Sequence, residues 1–250
     1  MKMMKEKMMM LASLLMGFAV SVTMISCGGD DGNGDGPSGG SGKRLVKITE
    51  SSNGKTDSNI YTTEFTYDPQ GRITKLVIKK NGGLYAETEY IYSETLIVRN
   101  RISYSNGSQS STSTHKFSLE NGRVVKDAGS HATYTFTYDS NGYLRTGTEI
   151  SSPGSDSETT DYVWENGNLV KIGQRTYEYG NLAWCNIGFE FSGPDMEPAL
   201  QMTGFYGRMP KNMPTKYYGS KIKEFKYGVS GGLITSITYE DGDVVSFEWN

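Results

Sequence analysis

The sequence predicts an all-β fold: an antiparallel meander of about 13 to 16 strands within residues 44 to 249, curled into a soluble barrel-like shell. Two observations carry this prediction. From Lys43 onward, aromatic or apolar residues alternate with polar ones at a period of two, which is the period of a strand with one packed face. Glycine-containing turns also recur, at about 20 to 25 residues where the repeat is clearest.

The alternation is clearest in three segments of the chain. In each segment the rings fall on one face and smaller or charged residues fall on the other. The segments are residues 61–67 (YTTEFTY), 133–138 (TYTFTY) and 244–249 (VVSFEW).

Two kinds of turn separate the strands. Asp68–Gly71 and Asp139–Gly142 carry an aspartate first and a glycine fourth, which predicts a type I turn followed by a glycine bulge. Residues 119–124, 164–169 and 239–244 have one residue fewer before an Asn-Gly or Asp-Gly pair, which predicts tight primed hairpins. Short turns imply that neighbouring strands pair in sequence order.

The phrases Tyr67-Asp68-x-x-Gly71-Arg72-Ile73-Thr74 and Tyr138-Asp139-x-x-Gly142-Tyr143-Leu144 resemble the tyrosine-aspartate (YD) repeat of Rhs-type and teneurin-type β shells. The chain as a whole, with Gly204-Phe205-Tyr206-Gly207 and Lys211-Asn212-Met213-Pro214, is more similar to a Bacteroidetes family of uncharacterised lipoproteins with a porin-like β fold. This resemblance covers roughly residues 43 to 250 and implies a fold and an envelope location. It implies no activity.

Closure of the meander is expected because a long open sheet leaves two unpaired edges. A membrane-spanning barrel is not expected, since most alternating runs have five to eight residues. A strand needs about 9 to 11 residues to cross a bilayer.

Residues 1–26 read as a lipoprotein signal peptide, with lysines at positions 2, 5 and 7 before the apolar run 8–20. Met24-Ile25-Ser26-Cys27 resembles a bacterial lipobox, which implies cleavage before Cys27, acylation of that cysteine and attachment to a membrane. Plain secretory cleavage, with Cys27 left as a thiol, is the alternative.

Residues 27–42 are expected to form a lipidated tether, because residues 28–42 contain eight glycines in fifteen positions. Asp30 and Asp31 resemble the signal that sends Bacteroidetes lipoproteins to the cell surface, so we expect an outer-membrane anchor and surface exposure, with periplasmic retention as the alternative. Residues 31–36 open like a calcium-binding loop, but Gly42 stands where the bidentate glutamate belongs, so no calcium site is expected.

The single β domain of residues 43–250 is interrupted by an irregular insert at 192–215, which holds four of the seven prolines. A short helix is predicted near 196–203, with Asp195 and Glu197 as its caps. The insert is interpreted either as a plug over one end of the sheet or as a mobile loop that contacts a ligand.

Charge and residue composition exclude several classes of protein. Cleavage before Cys27 leaves 22 basic and 27 acidic residues with no basic cluster, which argues against a nucleic-acid partner. His115 and His131 are not spaced as ligands, and Cys185 reads as a small buried residue, so no metal site and no cofactor are expected.

No catalytic motif is found, so an enzyme is not expected; a glycoside hydrolase-like pair of acids is the distant third possibility. The chain has seventeen tyrosines and three tryptophans, Trp164, Trp184 and Trp249. We expect these rings either to pack against each other across strands or to form a surface that binds a glycan. The leading hypothesis is a monomeric, surface-exposed binding module for a glycan or protein ligand. A structural or envelope-associated scaffold without a small-molecule ligand is the alternative.

Overall fold

The structure, a computed structural model, describes residues 43–51, 59–129, 132–151, 157–187 and 196–250. Sixteen strands and one short helix lie in this part of the chain. The strands are β1 (Leu45–Ser51), β2 (Ile60–Tyr67), β3 (Ile73–Lys80), β4 (Gly83–Tyr92), β5 (Leu96–Ser105), β6 (Ser108–Glu120), β7 (Arg123–Ala128), β8 (Thr133–Tyr138), β9 (Leu144–Ile150), β10 (Ser157–Glu165), β11 (Asn168–Ile172), β12 (Arg175–Ala183), β13 (Asn212–Tyr218), β14 (Ile222–Ser230), β15 (Leu233–Tyr239) and β16 (Val244–Trp249). The helix α1 spans Pro198–Met202, so it is shorter than the predicted 196–203.

Every strand pairs with its neighbours in sequence, and the first and last strands also pair, which closes the sheet into a barrel. In the closing ladder Ile48 of β1 lies opposite Phe247 of β16. The prediction of an all-β antiparallel meander that curls into a barrel is therefore confirmed.

The turns follow the local sequence, with one exception. Gly71 (φ 81°) donates its N–H to Asp68 O, and Asp68 Oδ1 accepts from Arg72 N–H at 2.9 Å, as the type I turn with a bulge requires. Asn121 (φ 50°) and Gly122 (φ 73°) both adopt positive φ, as the tight primed hairpin requires.

The prediction of a tight primed hairpin at residues 239–244 is wrong. There only Gly242 has positive φ (86°), and Tyr239 N–H donates to Asp243 O at 2.9 Å. The same bond, one residue after an aromatic, joins Asp68 N–H to Arg72 O. Tyr239, the last residue of β15, therefore also occupies the first position of the turn, and the turn is the longer type.

Tyrosine or tryptophan side chains repeatedly tie an even-numbered strand to the start of the preceding strand. Tyr67 OH donates to Leu45 O at 2.7 Å, and Tyr138 OH donates to Val124 O at 2.7 Å. We call these bonds aromatic clasps; the other donors are Tyr92, Trp164, Tyr179, Tyr227 and Trp249. Burial raises the pKa of Tyr67 and Tyr138, so both hydroxyls remain donors. The tyrosine of each Tyr-Asp phrase thus forms a side-chain hydrogen bond that joins two neighbouring strands.

The described part of the insert lies across one end of the barrel, which we call the plugged end. Phe205 O accepts from Val124 N–H at 2.8 Å, and Arg208 N–H donates to Gly142 O at 3.0 Å. Leu200 of α1 and Met213 of β13 are fully buried among the apolar residues that fill this end. Residues 212–215, predicted as part of the insert, instead belong to β13.

The chain enters and leaves the barrel at the plugged end. Strand β1 starts there at Leu45, whose carbonyl is an acceptor of an aromatic clasp, and Asn250 N–H donates to Arg44 O at 3.0 Å. The opposite end, which we call the far end, carries the turns at Asn81–Gly82 and Asn106–Gly107. A segment that precedes Lys43 is therefore attached opposite the far end.

Candidate functional site

The inner faces of β4, β5 and β6 carry a row of polar side chains. This row lies on the far-end side of the apolar residues that fill the plugged end. Directly opposed residues of antiparallel strands face the same side of a sheet. Tyr90 lies opposite Arg99, and Arg99 lies opposite His115, so the three side chains form a row across three strands. Ile97 and Phe117, the buried neighbours below Arg99 and His115, mark this face as the inner one.

Glu197 of the insert enters this row. Tyr90 OH donates to Glu197 Oε1 at 2.5 Å, and Arg99 Nη1 pairs with Glu197 Oε2. The side chains of Arg99 and Glu197 are only 14% and 10% exposed, so this is a largely desolvated ion pair. Burial and the neighbouring Glu197 carboxylate raise the pKa of Tyr90, which keeps its hydroxyl protonated.

The prediction that Glu197 caps the short helix is wrong. Glu197 occupies the N-cap position of α1, but its side chain makes no capping hydrogen bond. The carboxylate turns to Arg99 and Tyr90 because a charged, doubly hydrogen-bonded contact outweighs a single bond to a peptide N–H.

His115 and Asp127 form a second buried pair beside the first. His115 Nδ1 lies 3.1 Å from Asp127 Oδ1, and the Asp127 side chain is 5% exposed. Burial raises the pKa of Asp127, and the adjacent His115 works against that shift. The imidazole ring lies over Gly129, where a Cβ would stand 2.7 Å from His115 Cε1. His115 is thus a partly packed strand residue, with a partner that the sequence did not reveal.

Two polar atoms of the wall are buried without a hydrogen-bond partner among the described residues: Thr88 Oγ1 and Arg99 Nε. Thr88 lies opposite Arg101, one step further toward the far end than the Tyr90–Arg99 row. Within the described part of the chain, the guanidinium of Arg101 also makes no hydrogen bond or ion pair. Buried polar atoms without a partner are uncommon in native structures and call for an explanation.

The rim of the far end carries a pair of aromatic rings. Tyr61 and Tyr85 meet edge to face, with ring centroids 5.6 Å apart, and Lys80 Nζ lies 5.6 Å from the centroid of Tyr61. Tyr85 is 39% exposed, and its neighbour Leu84 is 40% exposed. Such a partly exposed, edge-to-face ring pair with a cation beside it offers an apolar ring face next to a polar group.

The plugged end contains a small cavity. A cavity of about 20 Å³ lies there between the barrel wall and the insert, which is room for one water molecule. Its lining includes Tyr162, whose buried hydroxyl has no partner among the described residues, and the buried side chain of Gln201.

Several residues singled out in the sequence do not belong to this site. Cys27, His131 and Asp195 lie outside the described residues. Cys185 is 2% exposed, as predicted, and its sulfur is disulfide-bonded, which was not predicted. Among the described residues no three His, Cys, Asp or Glu side chains are grouped as metal ligands would be. In that same part of the chain, no helix is long and apolar enough to cross a membrane.

Sequence reasoning missed Thr88, Arg99 and Arg101 as wall residues. A signal was present, because Ile97, Arg99 and Arg101 follow one another at a period of two. That spacing places both arginines on the face of the buried Ile97. An arginine pair on a core face is a reason to look for charged partners or a ligand.

The closed antiparallel barrel with an inserted segment at one end places the chain among porin-like β-barrels. The sequence pattern of the family described as a domain of unknown function (DUF4595) with porin-like fold matches residues 65–227, and the chain belongs to this family.

Two solved structures show the same architecture. A porin-like protein from Bacteroides uniformis ATCC 8492 superposes with a TM-score of 0.63 at 16% identity, over 83% of this chain and 97% of that one. A porin-like protein from Bacteroides vulgatus ATCC 8482 gives a TM-score of 0.55 at 12% identity, over 82% of this chain and 98% of that one. At these identities the likeness establishes the fold alone. None of the curated protein sequences matches this chain significantly.

Proposed function

We propose that this protein is a lipid-anchored glycan-binding protein of the bacterial cell envelope, displayed at the surface, and that the glycan binds at the far end of the barrel. The observation that carries the proposal is the ring pair Tyr61 and Tyr85 on the rim opposite the point where the chain enters. Stacking of sugar rings on exposed tyrosines uses the apolar body and polar edge of each ring.

The position of the chain's entry supports this orientation. With Cys27 acylated, residues 28–42 would join the lipid to the plugged end. The far end is then free to point away from the membrane, where a large polysaccharide can approach it.

The outer face of the barrel also supports a position in water. Ion pairs lie on outward positions around the wall, with Lys47 Nζ 2.6 Å from Glu248 Oε1 and Lys79 Nζ 2.9 Å from Glu64 Oε1. Charged groups facing lipid near the middle of a bilayer cost about 2 to 4 kcal/mol each for lysine. The polar outer surface therefore favours an anchor in the membrane over a barrel that spans it.

A glycan array probed with the full-length protein in detergent tests the binding. The paired change Tyr61→Ala and Tyr85→Ala should lower the apparent affinity for the bound glycan at least tenfold, since stacking on two rings is lost. Tyr218→Ala is the matched control: Tyr218 lies on the outer face, where its hydroxyl contacts Glu178. Absence of any bound glycan, or unchanged binding by the double variant, would overturn the proposal.

The location has a separate test. Protease added to intact cells should remove the barrel from the surface, and Cys27→Ser should release it from the membrane fraction. Protection of the wild-type barrel in intact cells would place it on the periplasmic side instead.

A further inference from the structure

The inner wall below the rim contains a row of unused hydrogen-bond donors. Thr88 lies opposite Arg101, and Arg101 lies opposite Ser113, so these three side chains share the inner face of β4, β5 and β6. Thr88 is 2% exposed, and its hydroxyl has no partner among the described residues. Burying a hydroxyl without a partner is energetically unfavourable, so its retention calls for an explanation.

The two arginines of this wall, Arg99 and Arg101, differ in whether their nitrogen atoms are hydrogen-bonded. Arg99 commits Nη1 to Glu197 and leaves Nε buried without a partner among the described residues. Arg101, two residues further along the same face, makes no hydrogen bond or ion pair in the described part of the chain. Two residues along a strand span about 6.6 Å, so donors of both guanidinium groups can reach one bound group.

The charges of the wall leave one positive group in excess. Glu197 balances Arg99, and Asp127 is engaged with His115, whereas nothing on the described wall balances Arg101. The inward acids Glu149 and Glu158 lie opposite each other on β9 and β10, a different part of the barrel. An anion in the barrel is therefore drawn to the β4–β6 wall and away from the β9–β10 wall.

We propose that Arg101, together with Thr88 Oγ1 and Arg99 Nε, forms a subsite for an oxyanion group on the bound sugar, a carboxylate or a sulfate. This inference rests on the proposed glycan-binding function and narrows it to acidic glycans. A planar guanidinium matches the two oxygens of a carboxylate or a sulfate, and a hydroxyl supplies one further donor. Tyr85 at the rim and Thr88 on the wall belong to the same strand, so a glycan stacked on the rim directs a substituent toward the subsite.

Matched oligosaccharides test the subsite on the full-length protein. An oligogalacturonide and its methyl ester share the sugar rings and differ in charge, and a sulfated galactan and its unsulfated form make the second pair. We expect one charged probe to bind at least tenfold more tightly than its neutral partner. The pair that shows the preference distinguishes a carboxylate from a sulfate.

Two variants connect the preference to the wall. Arg101→Gln should reduce the ratio of charged-probe to neutral-probe affinity at least tenfold, while Lys79→Gln, which removes an equal charge from the outer face, should preserve that ratio. Thr88→Val, nearly isosteric, should reduce the preference and still fold, because it removes an unpaired buried hydroxyl.

The outcomes separate the two proposals. Equal binding of charged and neutral probes, or a preference that survives Arg101→Gln, would overturn the subsite and leave glycan binding standing. A preference that depends on Arg101 but not on Tyr61 and Tyr85 would overturn the rim proposal and leave the subsite standing.

A thermal-shift comparison of the monosaccharides galacturonate and galactose covers the case in which no oligosaccharide binds. An Arg101-dependent stabilisation by galacturonate alone supports the subsite, and equal shifts overturn it.

Discussion

The two ends of the barrel are built from the same hairpins but filled differently. At the plugged end the inner face is apolar, the aromatic clasps fasten the strands, and the insert crosses the turns. Toward the far end the same strands present Thr88, Arg101 and Ser113 inward and tyrosines on the rim. The difference indicates that stability is concentrated at one end, which leaves the residues of the other end available for binding.

The largest difference between the ends should appear on strand β6. Phe117→Ala removes a fully buried ring from the plugged end and should lower the free energy of unfolding by about 3 to 5 kcal/mol. Ser113→Ala, on the same face nearer the far end, should change it by less than about 0.5 kcal/mol. Urea denaturation of both variants measures the contrast, and equal losses would show that the two ends are equally important for stability.

The boundary between the ends depends on the ion pair of the insert. Glu197→Gln leaves Arg99 without its charged partner in a buried site and should cost about 3 kcal/mol. Glu248→Gln is the control, because its pair with Lys47 is at the surface, with the Glu248 side chain 58% exposed, and should cost less than about 0.5 kcal/mol. A loss at Glu197 no larger than at Glu248 would mean that the insert is held without this contact.

A single aromatic clasp should have a smaller effect. Tyr138→Phe removes the donor to Val124 O and should lower the free energy of unfolding by about 1 kcal/mol. Tyr218→Phe removes an exposed hydroxyl that contacts Glu178 and should be nearly neutral. Identical urea unfolding midpoints for the two variants would show that the aromatic clasps do not stabilise the plugged end.

The smallest effect concerns pH. Because burial raises the pKa of Asp127, the folded protein holds this proton above the ordinary aspartate pKa of about 4. The contribution of Asp127 to stability is therefore present at low pH and declines as pH rises from about 4 through the raised pKa. Relative to wild type, Asp127→Asn should gain stability over that range in urea unfolding series, whereas parallel pH profiles would contradict the shift.

Much of the fold is predictable from the sequence because period-two alternation and turn chemistry are local signals. Asp68–Gly71 forms the expected turn since aspartate, proline and glycine each favour their own backbone geometry. The turn at Tyr239 escaped prediction because the aromatic that ends a strand can also be the first residue of the turn, and the register with β16 decides whether it is.

The candidate site was not predictable to the same extent. Arg99 and Glu197 are 98 residues apart, and His115 is paired with Asp127 only because β6 and β7 lie side by side. Nothing local distinguishes Glu197 from a helix cap, since its partner is supplied by a distant strand. The rim pair Tyr61 and Tyr85 belongs to strands β2 and β4 and meets across β3, so the closed sheet creates it.

Pairing of β1 with β16 has a consequence for biogenesis. Ile48 finds its cross-strand neighbour Phe247 only when β16 has been synthesised, so a nascent chain that lacks β16 carries two unprotected sheet edges. A nonsense mutation that deletes β16 alone would leave fifteen strands in place and expose both edges to other molecules. Such a truncated product should aggregate rather than persist as a slightly smaller barrel.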